Sequence, residues 1–308
     1  MTHLAAMFPG QGAQSVGMGK VLANEFPLCR TVFEEAEDAI GLSLRKLCFD
    51  GPDADLKLTA NTQPCILMVS IAQWHVLANE AGLKPTVFLG HSLGEYGALV
   101  ASGKLAFSTA MKLVRRRGEE MQNAVPVGVG AMAAVLSCPV DRLSDLVAHA
   151  SSTDAIVSIV NYNSASQLVV AGHKAAVDRL CRALEAEKFR FVHLAVSAPF
   201  HSTLMEPAKE AMRPYLLASQ IKGTATSMIP NLLGTVTTDY KIDYLIEQID
   251  HPVLWMQSLE TTQALGCTTY VEVGPGKVLT GLAKRSLPPE TKLIVGDNTK
   301  AAIAALVS

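Results

Sequence analysis

The pentapeptide Gly90-His91-Ser92-Leu93-Gly94 sets one hydroxyl between glycines, directly after the apolar run Val87-Phe88-Leu89 and directly before a helix-like segment. Strand, sharp turn and helix in that order make the setting in which Gly-x-Ser-x-Gly acts as a nucleophile elbow. So tight a turn leaves no room for side chains at its flanks, a need that Gly90 and Gly94 meet, while Gly97, Ala98 and Ala101 let the next helix pack closely. The geometry pushes the Ser92 hydroxyl out at the C-terminal edge of a sheet, over the first turn of a helix. Free backbone N–H groups and the helix dipole favour negative charge there. A hydroxyl that forms an acyl ester needs such a place, because the tetrahedral intermediate carries an oxyanion. The plainer alternative is a strand–helix turn with an incidental serine, and it is the context, more than the pentapeptide, that argues against it.

A serine hydroxyl attacks only when a base takes its proton, and histidine has the right pKa. His91 neighbours Ser92, but consecutive side chains on a tight elbow diverge. His3, His75, His149, His173 and His193 fall in patterned elements, which suits structural or surface roles, and His251 lies in a loop before Pro252. His201 follows Ser197-Ala198-Pro199-Phe200, a strand-to-loop exit from which a side chain reaches a sheet-edge site. The helix expected at 108–122 adds a third group. Ala110, Val114, Arg117 and Met121 share one face, with Leu113 beside them, whereas Arg115 and Arg116 point toward Lys112, Glu119 and Glu120. A guanidinium in an apolar stripe is costly unless it meets an anion. An internal ion pair or a snorkelling side chain would explain Arg117; so would a carboxylate on the acyl substrate, which arginine holds bidentately. No triad carboxylate declares itself. Asp141, Asp145, Asp154 and Asp178 lie between Ser92 and His201 in a separately patterned stretch, and Asp250 follows His201. Either something else orients His201, or the hydrolase template does not apply.

The elements that must position these groups suggest an α/β protein. Residues 4–8 form an apolar strand closed by Pro9-Gly10-Gln11-Gly12; helical patterns follow over 28–41, 43–48 and 62–82, then the elbow strand. Residues 130–197 have their own rhythm: strand 131–136, helix 141–150 opened by a capping-type Asp141, strands 155–160 and 167–171 joined by the turn-rich Asn161-Tyr162-Asn163-Ser164, helix 175–187 and strand 189–196. That order is βαββαβ, the ferredoxin-like unit. The expected fold is an α/β-hydrolase-like body over 1–126 and 198–308, with a parallel-sheet nucleophile elbow, carrying an inserted ferredoxin-like small subdomain over 127–197. Pro230-Asn231 and Gly234 mark turns near a further strand, and 270–273 is a late buried strand ended by Gly274-Pro275-Gly276-Lys277. Neither glycine loop fits a nucleotide motif: Ser15 breaks Gly-x-Gly-x-x-Gly, and Val278 replaces the P-loop hydroxyl.

Composition narrows the function classes. A chain of 308 residues that is 49% hydrophobic and 18% charged supports a large core, and a net charge of −2 points to no nucleic-acid or anionic-membrane partner. No apolar run approaches a bilayer span, and the N-terminus lacks the basic segment of a signal peptide. Six scattered cysteines without a Cys-x-x-Cys suit small core residues in a reducing cytoplasm.

Gly90-His91-Ser92-Leu93-Gly94-Glu95, Pro9-Gly10-Gln11-Gly12, Arg117, Phe200-His201 and Glu272-Val273-Gly274-Pro275-Gly276, taken together and in order, resemble the malonyl-CoA:acyl carrier protein transacylases of fatty acid synthesis. The likeness covers nearly the whole chain, and it extends to the acyltransferase domains of polyketide and animal fatty acid synthases. It implies that Ser92 takes malonyl from coenzyme A as an ester, in a ping-pong route to the phosphopantetheine thiol of acyl carrier protein. His201 would be the base and then the acid, and the backbone N–H groups of Gln11 and Leu93 the oxyanion hole. Arg117 would hold the malonyl carboxylate. The family orients its histidine with a backbone carbonyl, here that of Gln248, which accounts for an elbow without a triad. Gln63 and Asn161 would be further pocket residues. Phe200 matches malonyl-selective domains, where methylmalonyl-selective ones usually carry serine; a ring there would crowd an α-methyl group. The segment before Trp255 departs from relatives that often have a polar or basic residue beside it. Malonyl-CoA and acyl carrier protein are the implied partners, and coenzyme A enters as a thioester substrate with no metal or redox cofactor. A serine esterase or thioesterase, a free-standing polyketide acyltransferase and a catalytically silent carrier-binding scaffold are the rival readings.

Overall fold

The computed structural model describes residues 3–196 and 198–308. Among these the strands are, in chain order, β1 (Leu4–Phe8), β2 (Val87–Gly90), β3 (Gly130–Leu136), β4 (Val157–Ser164), β5 (Gln167–His173), β6 (Arg190–His193), β7 (Ser227–Ile229), β8 (Thr269–Glu272) and β9 (Lys292–Val295). Five form a parallel sheet in the order β7-β2-β1-β8-β9. Its central strands are short apolar runs, buried along their whole length, as parallel strands covered on both faces must be. β3 to β6 form a four-stranded antiparallel sheet in the order β4-β5-β3-β6, with helices Val140–Ala150 and Lys174–Ala186 in the crossovers, which is the ferredoxin-like arrangement. The packed α/β body, the elbow and the βαββαβ unit all agree with the sequence. The expected junction at 197 falls on Ser197, outside the described residues.

Register decides what meets at the sheet edge. Phe8 pairs with Gly90 and Met7 with Leu89, so β1 and β2 end level and their following loops emerge side by side. The His91 amide donates to the Phe8 carbonyl at 3.0 Å. A Cβ on Gly94 would lie 1.9 Å from the Phe8 carbonyl oxygen, and one on Gly90 2.0 Å from the Gly94 carbonyl carbon. Backbone cannot yield by that much. Gly94→Ala is expected to destabilise the fold by about 3 kcal/mol or more. Thermal melting reads it directly; a midpoint within about 2 °C of the parent would contradict this packing.

A second crossing brings distant side chains together. The long helix Thr59–Glu80 carries Pro64, which has no N–H for the Ala60 carbonyl one turn earlier. Arg115 Nη1 takes that acceptor at 3.0 Å. Arg115 belongs to helix Phe107–Asn123, whose Gly118 sits so close that a Cβ would lie 2.7 Å from Ala60 Cα. This near contact sets Gln63 of one helix beside Arg117 of the other.

Three expectations are corrected. Asn161-Tyr162-Asn163-Ser164 is no turn: these residues belong to β4, which is bulged there and bridged to Val253 by Tyr162 N to Val253 O (3.0 Å) and Val253 N to Val160 O (2.9 Å). Asp141 is not a cap; Pro139 is the N-cap residue, no side chain caps the helix, and Asp141 lies in its first turn. The strand expected over 189–196 is shorter, ending at His193. Short helices Lys20–Glu25 and Asp53–Leu56 were not foreseen, being too brief to show a period. The six cysteines are free and buried, as expected.

Candidate active site

Ser92 has φ of 52°, a left-handed conformation that costs a non-glycine residue about 1–3 kcal/mol. The surroundings over-determine it. The Ser92 amide donates to Asn231 Oδ1 at 2.6 Å, and Asn231 Nδ2 donates to the Gly90 carbonyl at 2.5 Å. The Glu95 amide closes the turn on the Ser92 carbonyl at 3.1 Å. Helix Gly94–Ala101 starts immediately after it, so the serine sits at a helix N-terminus as the motif requires. The Pro9–Gly12 loop lies directly on the elbow, since a Cβ on Gly10 would fall 2.3 Å from the His91 carbonyl oxygen. The backbone amides of Gln11 and Leu93 have no acceptor among the described residues, and both residues line the cavity in front of Ser92. Two unengaged N–H groups beside a hydroxyl can receive an oxyanion.

His201 also has a positive φ, 62°, at the turn before the short helix Thr203–Met205. Its Nδ1 lies 2.8 Å from the Gln248 carbonyl oxygen and its Nε2 2.7 Å from Ser92 Oγ. A carbonyl only accepts, so Nδ1 carries the proton and Nε2 is the lone-pair nitrogen facing the hydroxyl. The missing carboxylate is thus replaced by a main-chain dipole. His91 turns the other way, pairing its Nε2 with Asn163 Oδ1 at 2.8 Å and leaning on Trp255.

Arg117 is 1% exposed. Nη1 donates to Gln63 Oε1 at 2.9 Å, and Nη2 donates to Gln248 Oε1 at 3.0 Å and to Ser92 Oγ at 3.2 Å. Nε is buried without a partner, and no carboxylate forms an ion pair with the guanidinium among the described residues. A buried cation met only by neutral acceptors leaves attraction to spare for an anion in the cavity. Arg115 and Arg116 pair instead with Glu119 (2.7 Å) and Glu120 (2.6 Å), as the helical wheel requires.

Electrostatics follow from this burial. Desolvation, and then the Arg117 charge, push His201 down to about 3, so the imidazole is neutral throughout the ordinary pH range. Burial also lowers Arg117 from its usual value. An anion docked on Arg117 would offset its charge and raise the basicity of His201. Beneath the site, burial pushes Glu95 up to about 7. Its carboxylate accepts from the Tyr240 hydroxyl, from Asn231 N at 3.0 Å and from Gln248 Nε2 at 2.6 Å.

The cavity, about 260 Å³, lies between the two sheets. The body side presents Gln11, Gln63, Ser92, Leu93, Arg117 and His201, and the antiparallel sheet presents Met132, Asn161, Asn163 and Val169, with Phe200 at the wall. Every site residue expected from sequence is therefore at one place, Gln248 lying just behind the wall as the holder of His201 and Arg117. Sequence reasoning missed Asn231, Asn163, Glu95 and Tyr240. Glu95 carried a readable signal, the same one that exposed Arg117: a charged residue in the otherwise apolar segment Gly94–Ala101.

Fold and site together define an α/β protein that presents a histidine-paired serine, two free amides and a buried cation to one cleft. The chain belongs to the acyl transferase family, whose domain model matches residues 7–304. A malonyl CoA-acyl carrier protein transacylase from Salmonella typhimurium is 40% identical over 313 residues, covering 100% of both chains. The crystal structure of an acyl-carrier-protein S-malonyltransferase from Burkholderia pseudomallei superposes with a TM-score of 0.94 at 40% identity, covering 99% of each chain. A malonyl-transacylase solved in complex with a type II polyketide acyl-carrier protein gives a TM-score of 0.93 at 37% identity, again over 99% of each. No described helix is long and apolar enough to cross a membrane.

Proposed function

We propose that this acyltransferase moves malonyl from malonyl-CoA to the phosphopantetheine thiol of acyl carrier protein through an ester on Ser92. The observation that carries the reading is that one oxygen, Ser92 Oγ, touches both His201 Nε2 and Arg117 Nη2. A general base and an anion anchor meeting at a single hydroxyl suit an acyl donor that ends in a carboxylate.

In the first half-reaction His201 Nε2 takes the Ser92 proton as Oγ attacks the thioester carbonyl. The Gln11 and Leu93 amides receive the oxyanion, and Arg117, braced by Gln63, holds the malonyl carboxylate. Collapse breaks the C–S bond, and the imidazolium gives its proton to the leaving coenzyme A thiolate. In the second half-reaction the carrier thiol gives its proton to His201, attacks the ester, and the proton returns to Ser92. One thioester is exchanged for another, so atoms and charge balance without a metal or redox partner; coenzyme A is substrate only. We divide the chain accordingly into a catalytic body (1–126 and 198–308) and a small subdomain (127–197) that supplies the far wall of the cleft. Free cysteines throughout support a reducing, cytoplasmic setting.

Fatty acid synthesis is the pathway we favour, as the curated relatives' names imply. The similarity to a transacylase paired with a polyketide carrier supports a second reading, in which the acceptor is a polyketide carrier protein and the chemistry is unchanged. A serine esterase would place a carboxylate behind His201, where this chain has the Gln248 carbonyl.

Incubating the protein with malonyl-CoA, with and without holo-acyl carrier protein, tests the reading. Malonyl-carrier should form, with hydrolysis a minor product. Free malonate released at the same rate whether or not carrier is present would overturn it. Phe200, 8% exposed and on the cavity wall, supplies a specificity test. Phe200→Ser is expected to raise the methylmalonyl-to-malonyl ratio of kcat/KM by roughly 10- to 100-fold, the scale of one relieved methyl clash. An unaltered ratio would remove Phe200 from selectivity.

A further inference from the structure

Glu95 lies under the site without lining its cavity. It is fully buried one turn beyond the serine, and its carboxylate accepts from three donors on two other segments, Tyr240, Asn231 N and Gln248 Nε2. A carboxylate can only accept, so Gln248 must turn its NH₂ toward Glu95 and its Oε1 toward Arg117 Nη2, 3.0 Å away. The Gln248 main-chain carbonyl meanwhile holds His201. Asn231, whose amide Glu95 receives, spends its own side chain on Ser92 N and the Gly90 carbonyl.

We propose that Glu95 is the positioning residue of malonyl transfer: its ionised carboxylate fixes the amide orientation of Gln248 and, through Gln248 and Asn231, sets Arg117, His201 and Ser92 in register. The inference rests on the transferase reading above. An ionised Glu95 is also the nearest compensation for the Arg117 charge, relayed through one amide. A neutral group at this position keeps one acceptor and turns its other polar atom into a donor. Where that donor faces Gln248, no anion fixes the amide, and a flipped amide would face Arg117 with donors.

The charged and titratable groups facing Glu95 are Arg117 from helix Phe107–Asn123, Tyr240 from the segment before helix Ile242–Glu247, and Tyr96 on its own helix. Burial raises the Glu95 pKa to about 7, whereas His201 is pushed down to about 3. As pH falls, Glu95 gains a proton and gives up an acceptor. The acid limb of malonyl transfer therefore belongs to Glu95, and the rate falls as pH drops through about 7.

The test is the pH profile of kcat/KM for malonyl-CoA in the intact protein and in Glu95→Gln, Glu95→Asp and Tyr240→Phe, each checked by thermal melting. Loss of the Tyr240 donor should raise the Glu95 pKa and move the acid limb up by about 1 pH unit. Glu95→Gln should lower kcat/KM by roughly 10- to 100-fold and abolish the limb, and Glu95→Asp should restore the limb. A limb that stays in place in both Tyr240→Phe and Glu95→Gln overturns the proposal. Should Glu95→Gln fail to fold, the Tyr240→Phe shift alone decides. A parent protein that transfers no malonyl overturns the transferase reading and this inference with it; active transfer with an unmoved limb overturns only the inference.

Discussion

Arg117→Ala is expected to cut kcat/KM for malonyl-CoA by roughly 10²- to 10³-fold, the cost of removing one partner from a buried, hydrogen-bonded charge pair. Acetyl-CoA carries no carboxylate and loses nothing by that route. For acetyl, removal of the cation has opposing effects. It takes away the 3.2 Å hydrogen bond to Ser92 Oγ, and it relieves the charge that helps depress His201. The acetyl rate should therefore change by less than about tenfold, and the malonyl-to-acetyl ratio should collapse. Transfer assays with both thioesters read this directly. An unchanged preference for malonyl would take Arg117 out of its assigned role, whatever happened to the absolute rates.

His201→Ala should lower kcat by about 10²- to 10⁴-fold for every acyl donor, because loss of the base affects attack on the thioester and departure of the thiol alike. The acyl selectivity should survive, which separates this variant from Arg117→Ala. The neutral imidazole loses little at moderately low pH, so the parent enzyme should show no histidine limb above about pH 4. Residual activity within about tenfold of the parent would mean that another group accepts the Ser92 proton.

Much of this site was legible because its chemistry leaves local traces. The elbow needs glycine where backbone meets backbone, and Gly90 and Gly94 stand at those approaches. Arg117 declared itself by sitting in an apolar stripe, and the structure buries it with Ala110, Val114 and Met121. What failed to show was long-range or main-chain. The Gln248 carbonyl that holds His201 is a group every residue has, and only family resemblance pointed to it. Asn231 acts on Ser92 from 139 residues away. Asn161 to Ser164 misled for a physical reason: asparagine and serine usually mark turns, whereas here they continue β4 as a bulged strand pinned to Val253. Asn161 and Asn163 face the cavity, so the site wall overrides local propensity at the place where polar side chains are wanted. The bridge has a consequence for mechanism, because Val253 closely follows Gln248. The small sheet is thereby tied by two main-chain hydrogen bonds to the segment that orients the histidine.

Ester formation at Ser92 is the step through which every proposed role operates. Intact-mass analysis after brief exposure to malonyl-CoA, followed by peptide mapping of an acid-quenched sample, tests it most directly. One malonyl group per chain should appear on the peptide that contains Ser92, should vanish when holo-carrier protein is added, and should be absent from Ser92→Ala. A chain that turns over malonyl-CoA with no adduct, or with the adduct on any other residue, would contradict the account.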